Sequence, residues 1–407
     1  MIKGKVFTGQ PIFSQVLQLI PKSVISRLSK AHGANRYVKT FDSYHHLVSM
    51  LFCVFQRCSS LREVSTGMQA WLGRLQHLGL KTYPKRSTLS DTNKRCPAAF
   101  FQALYHELVK TYSQELLTDS RKGTTVDERL MLMDSTTIDL FNDVMGGAGM
   151  SKQDGRRKGG VKVHMLVNPI HQIPSVIYLT EARENDRVFM DKVKAPKGSI
   201  LVFDKGYFKF SQWQQWTEQG IYWVSRLSRI AFYQVLEDKP VTSKQKEAGV
   251  LEDQTILLGR GSSASTEVIL ARRIVYFDKE KNRSFEFVTN HDRFSPANIA
   301  ALYKKRWAIE TLFKSLKQNY QLKYFLGDNA NAICIQIWCS LIADLLIKVI
   351  KRSIKKRPWS LSNLTSMIRM HLATYVNLKE FLQHPEKALK QALKQNVQQY
   401  ELLFNTT

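Results

Sequence analysis

The stretch LMLMDSTTI, residues 130–138, marks the point where the sequence changes from helical to β-strand patterning. Its four leading apolar residues run into polar ones at Asp134, as in a buried strand with a polar end. Two further strand patterns follow at residues 161–167 and 173–179, and SILVFD at residues 199–204 is a fourth. The continuous apolar run of this fourth pattern is typical of an interior strand. The stretch therefore predicts an α/β core.

Charge is the outstanding feature of the composition. The 407 residues include 60 Lys and Arg against 34 Asp and Glu, a net charge of +26. Such a balance indicates a polyanionic partner, either nucleic acid or an anionic membrane surface. The most apolar run, residues 333–350, is interrupted by Gln336, Asp344 and Lys348, which favours a buried helix over a membrane span. No secretory signal is expected, and the cysteines form no C-x-x-C pair, so we expect a soluble cytoplasmic protein with reduced thiols.

Helical patterning dominates the region before the core. Residues 11–120 place apolar side chains at helical spacing and carry almost no strand pattern. Pro84 and the Ser/Thr residues after it open a short helix, which Cys96-Pro97 ends before the next helix starts. We interpret these two short helices as a candidate helix-turn-helix, and a solvated basic face on an ordinary bundle is the alternative. The candidate nucleic-acid contacts in it are Lys85, Arg86, Lys94 and Arg95.

The region after the first strands alternates helices, strands and turns. Helical patterns at residues 184–193 and 211–219 are followed by a fifth strand at 221–224. Short strands then alternate with Gly/Ser turns over residues 236–290. A Ser cap followed by proline at 295–296 begins a helix that runs to about residue 320. We therefore expect a helical DNA-binding domain at 1–125, a core at 126–235, a β-rich insertion at 236–294, a core helix at 295–330 and a helical region at 331–407.

The last core helix presents an unusual set of side chains on one face. Tyr303, Arg306, Glu310 and Lys317 are offset by 3, 7 and 14 residues. In a continuous helix of 3.6 residues per turn, all four point within an arc of about 60°. A solvated face with an i,i+4 Arg306–Glu310 pair is the alternative. The apolar side chains around them favour partial burial, and buried charge is usually retained for a reason.

Two aspartates complete a set of carboxylates. Asp134 and Asp204 each lie at the polar end of an apolar strand, where an open sheet places its ligand-binding groups. Each could instead be an ordinary strand-end turn former. Three carboxylates brought together repel one another unless a divalent cation neutralises them, and all-oxygen ligands select Mg²⁺ or Mn²⁺. Two such ions about 3.5–4 Å apart can drive phosphodiester chemistry. We therefore predict a site of two ions held by Asp134, Asp204 and Glu310.

These motifs resemble those of a known family. The spacing Y-x2-R-x3-E-x6-K from Tyr303 to Lys317 matches the YREK signature of bacterial insertion-sequence transposases (insertion-sequence family four). Asp204-Lys205-Gly206-Tyr207 resembles that family's D-x-G-[YF] motif, and Asp134-Ser135-Thr136 its D-S-T. The resemblance implies an RNase H-like mixed sheet with the insertion between the fifth strand and the Glu310 helix. It also implies DNA contacts from Tyr303, Arg306 and Lys317, as well as Lys205 and Tyr207.

The resemblance implies a function as well. A DDE transposase hydrolyses a phosphodiester at each transposon end, and the exposed 3′-OH attacks target DNA. Double-stranded DNA is the expected partner and a homodimer the expected form in the DNA complex. An RNase H-like nuclease or resolvase without strand transfer is one alternative. A catalytically inactive DNA-binding relative is another.

Several further residues are weaker candidates. The basic loop Arg156-Arg157-Lys158 is expected to touch the DNA backbone, and a solvated loop is the alternative. His164 lies within possible reach of Asp134, although a core histidine with satisfied hydrogen bonds is the favoured interpretation. Asp139, Asp186 and Asp191 could replace a named carboxylate, yet none has a matching motif. Residues 236–306 contain no tryptophan for base stacking; besides Tyr303, their aromatic residues are Tyr276, Phe277, Phe285, Phe287 and Phe294.

Overall fold

The computed structural model describes residues 9–117, 124–139, 160–259, 268–320, 322, 325–327, 329–354 and 357–390. The chain divides into two compact units. One is formed by Met1–Asp119 together with Ser315–Thr407, and the other by Ser120–Lys314. Within the predicted strands and Gly/Ser turns at 236–290, residues 260–267 lie outside the described ones, and so do residues 391–407 of the C-terminal region.

The first unit is helical where it is described, as its sequence pattern predicts. Its helices begin at polar caps or prolines: the Asp42 side chain accepts from the His45 N–H, and the Ser60 side chain from the Glu63 N–H. The elements before the core are α1 (Ile12–Leu17), α2 (Lys22–Ala31), α3 (Ser43–Gln56), α4 (Leu61–Ala70), a 3₁₀ helix (Leu72–Leu78), α5 (Arg86–Arg95), α6 (Ala98–Thr111) and α7 (Ser113–Leu117). Those after it are α14 (Ala330–Ser353), α15 (Leu361–Met370) and α16 (Leu378–Gln383).

The four basic residues of the candidate helix-turn-helix lie at a single helix. Lys85 is the N-cap residue of α5, and Arg86, Lys94 and Arg95 belong to the helix itself. All four side chains are exposed. The predicted helix end at Cys96-Pro97 and the new helix after it, α6, are observed, but all four basic residues lie at the first of these two helices instead of being shared between them. What the prediction retains is an exposed basic surface along one ten-residue helix.

Helix α14 is the long apolar helix of this unit. By length and composition it could cross a membrane, but 94% of its most apolar window is buried inside the protein. Its interior charges are paired, because Lys348 Nζ lies 2.5 Å from Asp344 Oδ2. Pairing of this kind makes burial of both charges tolerable. The helix has the properties of a core helix, as its sequence predicts.

The second unit is built on one mixed sheet. Within the described residues, nine strands pair in the order β3-β2-β1-β4-β5-β9-β8-β7-β6. The first five have the RNase H-like arrangement: β1 is parallel to β4, β4 is parallel to β5, and β2 and β3 are antiparallel additions beside β1. Their bounds are β1 Leu130–Asp139, β2 Gly160–Val167, β3 Pro174–Glu181, β4 Ile200–Phe203 and β5 Tyr222–Arg226. The mixed α/β core predicted from the sequence is confirmed.

The β-rich segment between β5 and the last helices continues the same sheet. Strand β9 pairs antiparallel with β5, from Val224 opposite Thr289. The other strands follow outward as antiparallel neighbours, which leaves β6 at the edge. The bounds are β6 Tyr233–Asp238, β7 Val250–Leu258, β8 Ile269–Asp278 and β9 Arg283–Thr289, with α11 (Ser243–Glu247) between β6 and β7.

One face of the central strands carries an aromatic core. Phe203 of β4 packs at 5.7 Å from the Trp213 ring and 5.8 Å from that of Trp216. Trp213 in turn stacks on Trp223 of β5 at 4.6 Å. Large aromatic side chains of this kind bury much apolar area and stabilise the central strands. The helices that accompany these strands in the chain are α8 (Thr125–Glu128), α9 (Arg187–Met190), α10 (Phe210–Glu218), α12 (Pro296–Lys304) and α13 (Trp307–Asn319).

Two predicted helices differ from those observed. The helix predicted at 184–193 is a single turn, Arg187–Met190. The helix predicted from 295 to about 320 is two helices, α12 and α13, separated by Lys305 and Arg306. At the break, the Arg306 N–H donates to the Tyr303 carbonyl at 3.0 Å, an i to i−3 bond that tightens the turn. The arc calculated for one continuous helix therefore does not apply across this break.

Candidate active site

Strand register brings the two motif aspartates together. The parallel pairing of β1 with β4 ends at Met133 opposite Phe203. Asp134 and Asp204 are the next residues on each strand, so they are neighbours at the carboxyl end of β4. Strand β1 itself runs on to Asp139, paired with β2. Asp134 is therefore inside a strand rather than at its end as predicted, but it lies where the parallel pairing stops.

Glu310 joins these aspartates through a shared arginine. Arg306 Nη1 donates to Asp134 Oδ2 at 2.8 Å, and Arg306 Nη2 donates to Glu310 Oε1. Arg306 is 15% exposed, so this is a partly buried bridge. The Tyr303 hydroxyl donates to Asp204 Oδ1 at 3.0 Å. Each of the three carboxylates thus accepts a hydrogen bond from the last turn of α12 or from the break that follows it.

Burial and charge set the ionisation of this cluster. Burial is the largest influence on Asp134 and raises its pKa to about 6. The Arg306 guanidinium and the Ser135 N–H lower that pKa, whereas the negative charges of Glu310 and Asp204 raise it. Burial, together with the Asp204 carboxylate, also raises the pKa of Tyr303. The phenol therefore stays protonated at neutral pH and acts as a hydrogen-bond donor, not as a base.

The donor chemistry of this cluster fits a divalent cation. Three carboxylates supply the oxygen ligands that Mg²⁺ and Mn²⁺ prefer. Among the described residues, no group of three acidic, His or Cys side chains has a ready-made metal geometry. The guanidinium of Arg306 lies between two of the carboxylates instead and supplies the positive charge that they require. Cation binding would therefore need Arg306 to change partners.

Comparison with known proteins decides the family. A family model described as a transposase DDE domain matches residues 126–344, more than half of the chain. The chain belongs to the DDE transposase family. Its resemblance to bacterial insertion-sequence transposases is thereby confirmed. A second family model, a domain of unknown function (DUF4372), matches residues 8–81.

Two individual relatives support this membership, and one solved structure is similar at a lower level. A Sinorhizobium fredii protein classed among transposases, y4zB, is 29% identical over 66% of this chain and 72% of its own length. A Geobacillus stearothermophilus protein named for the transposase of insertion sequence element IS5377 is 25% identical over 84% of this chain and 85% of its own. A cryo-EM structure of the piggyBac transposase synaptic complex with hairpin DNA covers 95% of this chain and 83% of its own, at 10% identity and a TM-score of 0.41.

Membership makes the chain a DNA transposase, an enzyme of DNA cleavage and transfer. It also implies a divalent metal cofactor in general. The two alternatives weighed from the sequence, a nuclease without strand transfer and an inactive relative, are not favoured. The parts of this DDE transposase that the sequence singled out can now be placed one by one.

The two residues within the D-x-G-Y motif have different surroundings. Lys205 is exposed beside Asp204 and is free to meet a phosphate backbone. Tyr207 is 1% exposed and packs in the aromatic core, with its ring 6.3 Å from that of Phe203. Its ring therefore offers no surface to DNA in this conformation, and we assign it to positioning the motif. Burial is the main cause that raises the pKa of its hydroxyl.

The remaining predicted residues are dispersed. Lys317 is on α13, seven residues beyond Glu310, and is partly exposed. Arg156, Arg157 and Lys158 lie outside the described residues. His164 is fully buried: its Nε2 is 3.0 Å from Thr180 Oγ1, while its Nδ1 has no hydrogen-bond partner and lies 3.7 Å from Asp186 Oδ1. Burial lowers the pKa of His164 to about 4, so it is neutral at pH 7.

A groove beside the site contains residues that the sequence reasoning missed. It has a volume of about 940 Å³ and runs from Tyr303 and Arg306 to the β8–β9 hairpin. Its aromatic lining includes Phe285, on which the Arg283 guanidinium packs at 4.4 Å. Trp307, 64% exposed, lines it as the first residue of α13. Trp307 directly follows residues 236–306, which lack tryptophan, and its place immediately after Arg306 in the YREK signature is the signal in the sequence.

Proposed function

We propose that this transposase binds the ends of an insertion sequence and uses Asp134, Asp204 and Glu310 to hold two Mg²⁺ ions. The observation that carries the proposal is the convergence of the three carboxylates on one guanidinium and one phenol, at the end of the parallel β1–β4 pairing. The ions would activate the attacking oxygen and stabilise the leaving one in an in-line displacement. Two copies, one on each end, would form the working complex, in the cytoplasm.

The chain's own residues support the reaction through positioning and charge. Arg306 and Tyr303 are donors that can turn from the carboxylates to DNA phosphate oxygens, because guanidinium and phenol groups bond both. Lys205, Lys317 and the exposed basic residues of α5 are the proposed contacts to the backbone, together with Arg156–Lys158. No protein nucleophile is required, since water and then the 3′-OH attack phosphorus.

The test of this function is a joined DNA product. Full-length protein is incubated with a supercoiled donor plasmid that carries the element's inverted repeats, a target plasmid and Mg²⁺. We expect cleavage at the ends and insertion into the target, both abolished by chelation with EDTA and restored by excess Mg²⁺. Cleavage without a joined product would favour the nuclease or resolvase. End binding without any cleavage would favour an inactive relative.

The groove beside Tyr303 is proposed to take an unpaired DNA segment near the cut. The exposed ring of Trp307, which directly follows Arg306, suits base stacking and backbone contact together. Replacing Trp307 with alanine is expected to weaken binding of a single-stranded oligonucleotide about tenfold, since one stacked base contributes about 1–3 kcal/mol. Fluorescence anisotropy at fixed salt measures this. Trp307→Phe should retain most of the affinity.

The matched control for Trp307 is Ile230, which is 94% exposed and is absent from the groove lining. Ile230→Ala should bind the oligonucleotide as the wild type does. Equal affinities for Trp307→Ala and Ile230→Ala would show that the groove does not stack bases.

A further inference from the structure

A polar cluster lies next to the proposed catalytic aspartates, on the face of the sheet that Ser135 occupies, and has no assigned role. Its centre is Asp186, which precedes α9. Ser135 Oγ donates to Asp186 Oδ1 at 2.9 Å, and Lys162 Nζ lies 3.2 Å from the same oxygen. The fully buried His164 points its unpartnered Nδ1 toward it at 3.7 Å. Three side chains from β1 and β2 thus lie around the carboxylate of Asp186.

Alternation along β1 separates this cluster from the site itself. Successive side chains of a strand point to opposite faces of the sheet. Asp134 meets Arg306 on one face, whereas Ser135 meets Asp186 on the other. Asp186 therefore does not replace a named carboxylate. It contacts Ser135, the residue next to Asp134.

The backbone of Ser135 links the two faces. Its side chain is held by Asp186, while its N–H donates to Asp134 Oδ1 at 2.9 Å. That N–H orients the Asp134 carboxylate and lowers its pKa. Because Asp186 holds Ser135 on one face of the sheet, it also fixes the direction of the Asp134 side chain on the other face.

The second motif also contacts Asp186. A Cβ built on Gly206 would lie 3.6 Å from Asp186 Oδ2, so the loop after Asp204 passes close to this carboxylate. The charge of Asp186 also raises the pKa of the buried Tyr207 hydroxyl, after burial itself. Ser135 of one motif and Gly206-Tyr207 of the other thus border one acidic side chain.

The geometry points to Asp186 as a positioning residue that sets Asp134 relative to Asp204 and thereby shapes the metal site. This inference rests on the proposed function, because it assumes that both aspartates bind metal. Partners of this kind behind metal ligands typically change metal affinity 10–100-fold when removed. Lys162 keeps Asp186 in place through its bond to the Glu184 carbonyl at 2.7 Å.

The test is Mn²⁺ affinity of the full-length protein, measured by isothermal titration calorimetry. Asp186→Asn, which keeps the shape and removes the charge, is expected to weaken Mn²⁺ binding about tenfold. Ser135→Ala removes the hydrogen bond between Ser135 and Asp186, so it should weaken Mn²⁺ binding by a similar factor. The double variant should bind Mn²⁺ only slightly more weakly than either single variant. Ser135→Thr keeps the hydroxyl and should restore wild-type affinity. DNA affinity should stay unchanged in all of these variants, and melting temperature should stay unchanged in Ser135→Thr.

Asp191 is the matched control, because it lies five residues away and pairs with Lys209 at 2.6 Å instead of with Ser135. Asp191→Asn should bind Mn²⁺ as the wild type does. If Asp186→Asn folds poorly, the difference in Mn²⁺ affinity between Ser135→Ala and Ser135→Thr tests the positioning role by itself.

Three outcomes would overturn the inference. Wild-type affinity in Asp186→Asn and Ser135→Ala, with binding lost in Asp134→Asn, would refute the positioning role but keep the proposed function. A loss in Asp186→Asn as complete as in Asp134→Asn would make Asp186 a direct ligand. Unchanged binding in Asp134→Asn would refute the proposed function and the inference with it.

Discussion

Glu310→Gln should reduce DNA cleavage at least about a thousandfold, because loss of a metal ligand removes several kcal/mol of transition-state stabilisation. Glutamine keeps the size of the side chain and can still accept a hydrogen bond from Arg306, so the fold should be unaffected. Binding to end DNA should persist, since it depends on basic residues rather than on this carboxylate. Nicking of a supercoiled donor plasmid in Mg²⁺ measures cleavage, and a mobility-shift assay measures binding.

Glu218→Gln is the control for this prediction, because Glu218 is an exposed glutamate at the end of α10, bonded to Gln214. It should cut at the wild-type rate. Cleavage by Glu310→Gln at a rate similar to that of Glu218→Gln would remove Glu310 from the catalytic set.

Arg306→Gln should have the second-largest effect, about a hundredfold loss of cleavage, since the guanidinium fork is lost both to the carboxylates and to phosphate. Without metal, the variant should be less stable by about 2 kcal/mol, because Asp134 and Glu310 then face each other with no cation between them. Mg²⁺ should restore much of this stability by supplying the missing charge. The rise in melting temperature on adding Mg²⁺ should therefore be larger in Arg306→Gln than in the wild type.

Arg306→Lys keeps the charge but not the planar fork, and its activity should be intermediate. The exposed Arg229 supplies the control: Arg229→Gln should match the wild type in both assays. An equal Mg²⁺-induced rise in melting temperature for the wild type and Arg306→Gln would show that the arginine does not act as the counter-ion of the carboxylates.

The core strands were predictable because their patterns are local. Apolar runs at residues 130–133 and 200–203 identify interior strands whatever surrounds them. The same runs place Asp134 and Asp204 as the first polar residues after them. Their adjacency depends on which strands pair and in which register, and that is decided by contacts between segments about 70 residues apart.

The break between α12 and α13 was not predictable from residue types. Lys305 and Arg306 are neither glycine nor proline, and both fit a continuous helix. Arg306 instead bonds Asp134, 172 residues earlier, and Tyr303 bonds Asp204, 99 residues earlier. Bonds between such distant residues can outweigh local helix propensity, which is a weak preference of less than about 1 kcal/mol per residue.

The sequence by itself determined the membership of the family, the order of the motifs and the strands that carry Asp134 and precede Asp204, because all of these are patterns of neighbouring residues. Only the tertiary structure decided which face of the sheet each motif side chain occupies. It placed Tyr207 in the core, Asp186 behind Ser135, Trp307 on an exposed groove and Arg306 between two carboxylates. The physical reason is that burial and ion pairing depend on surfaces contributed by distant segments, which no local spacing records.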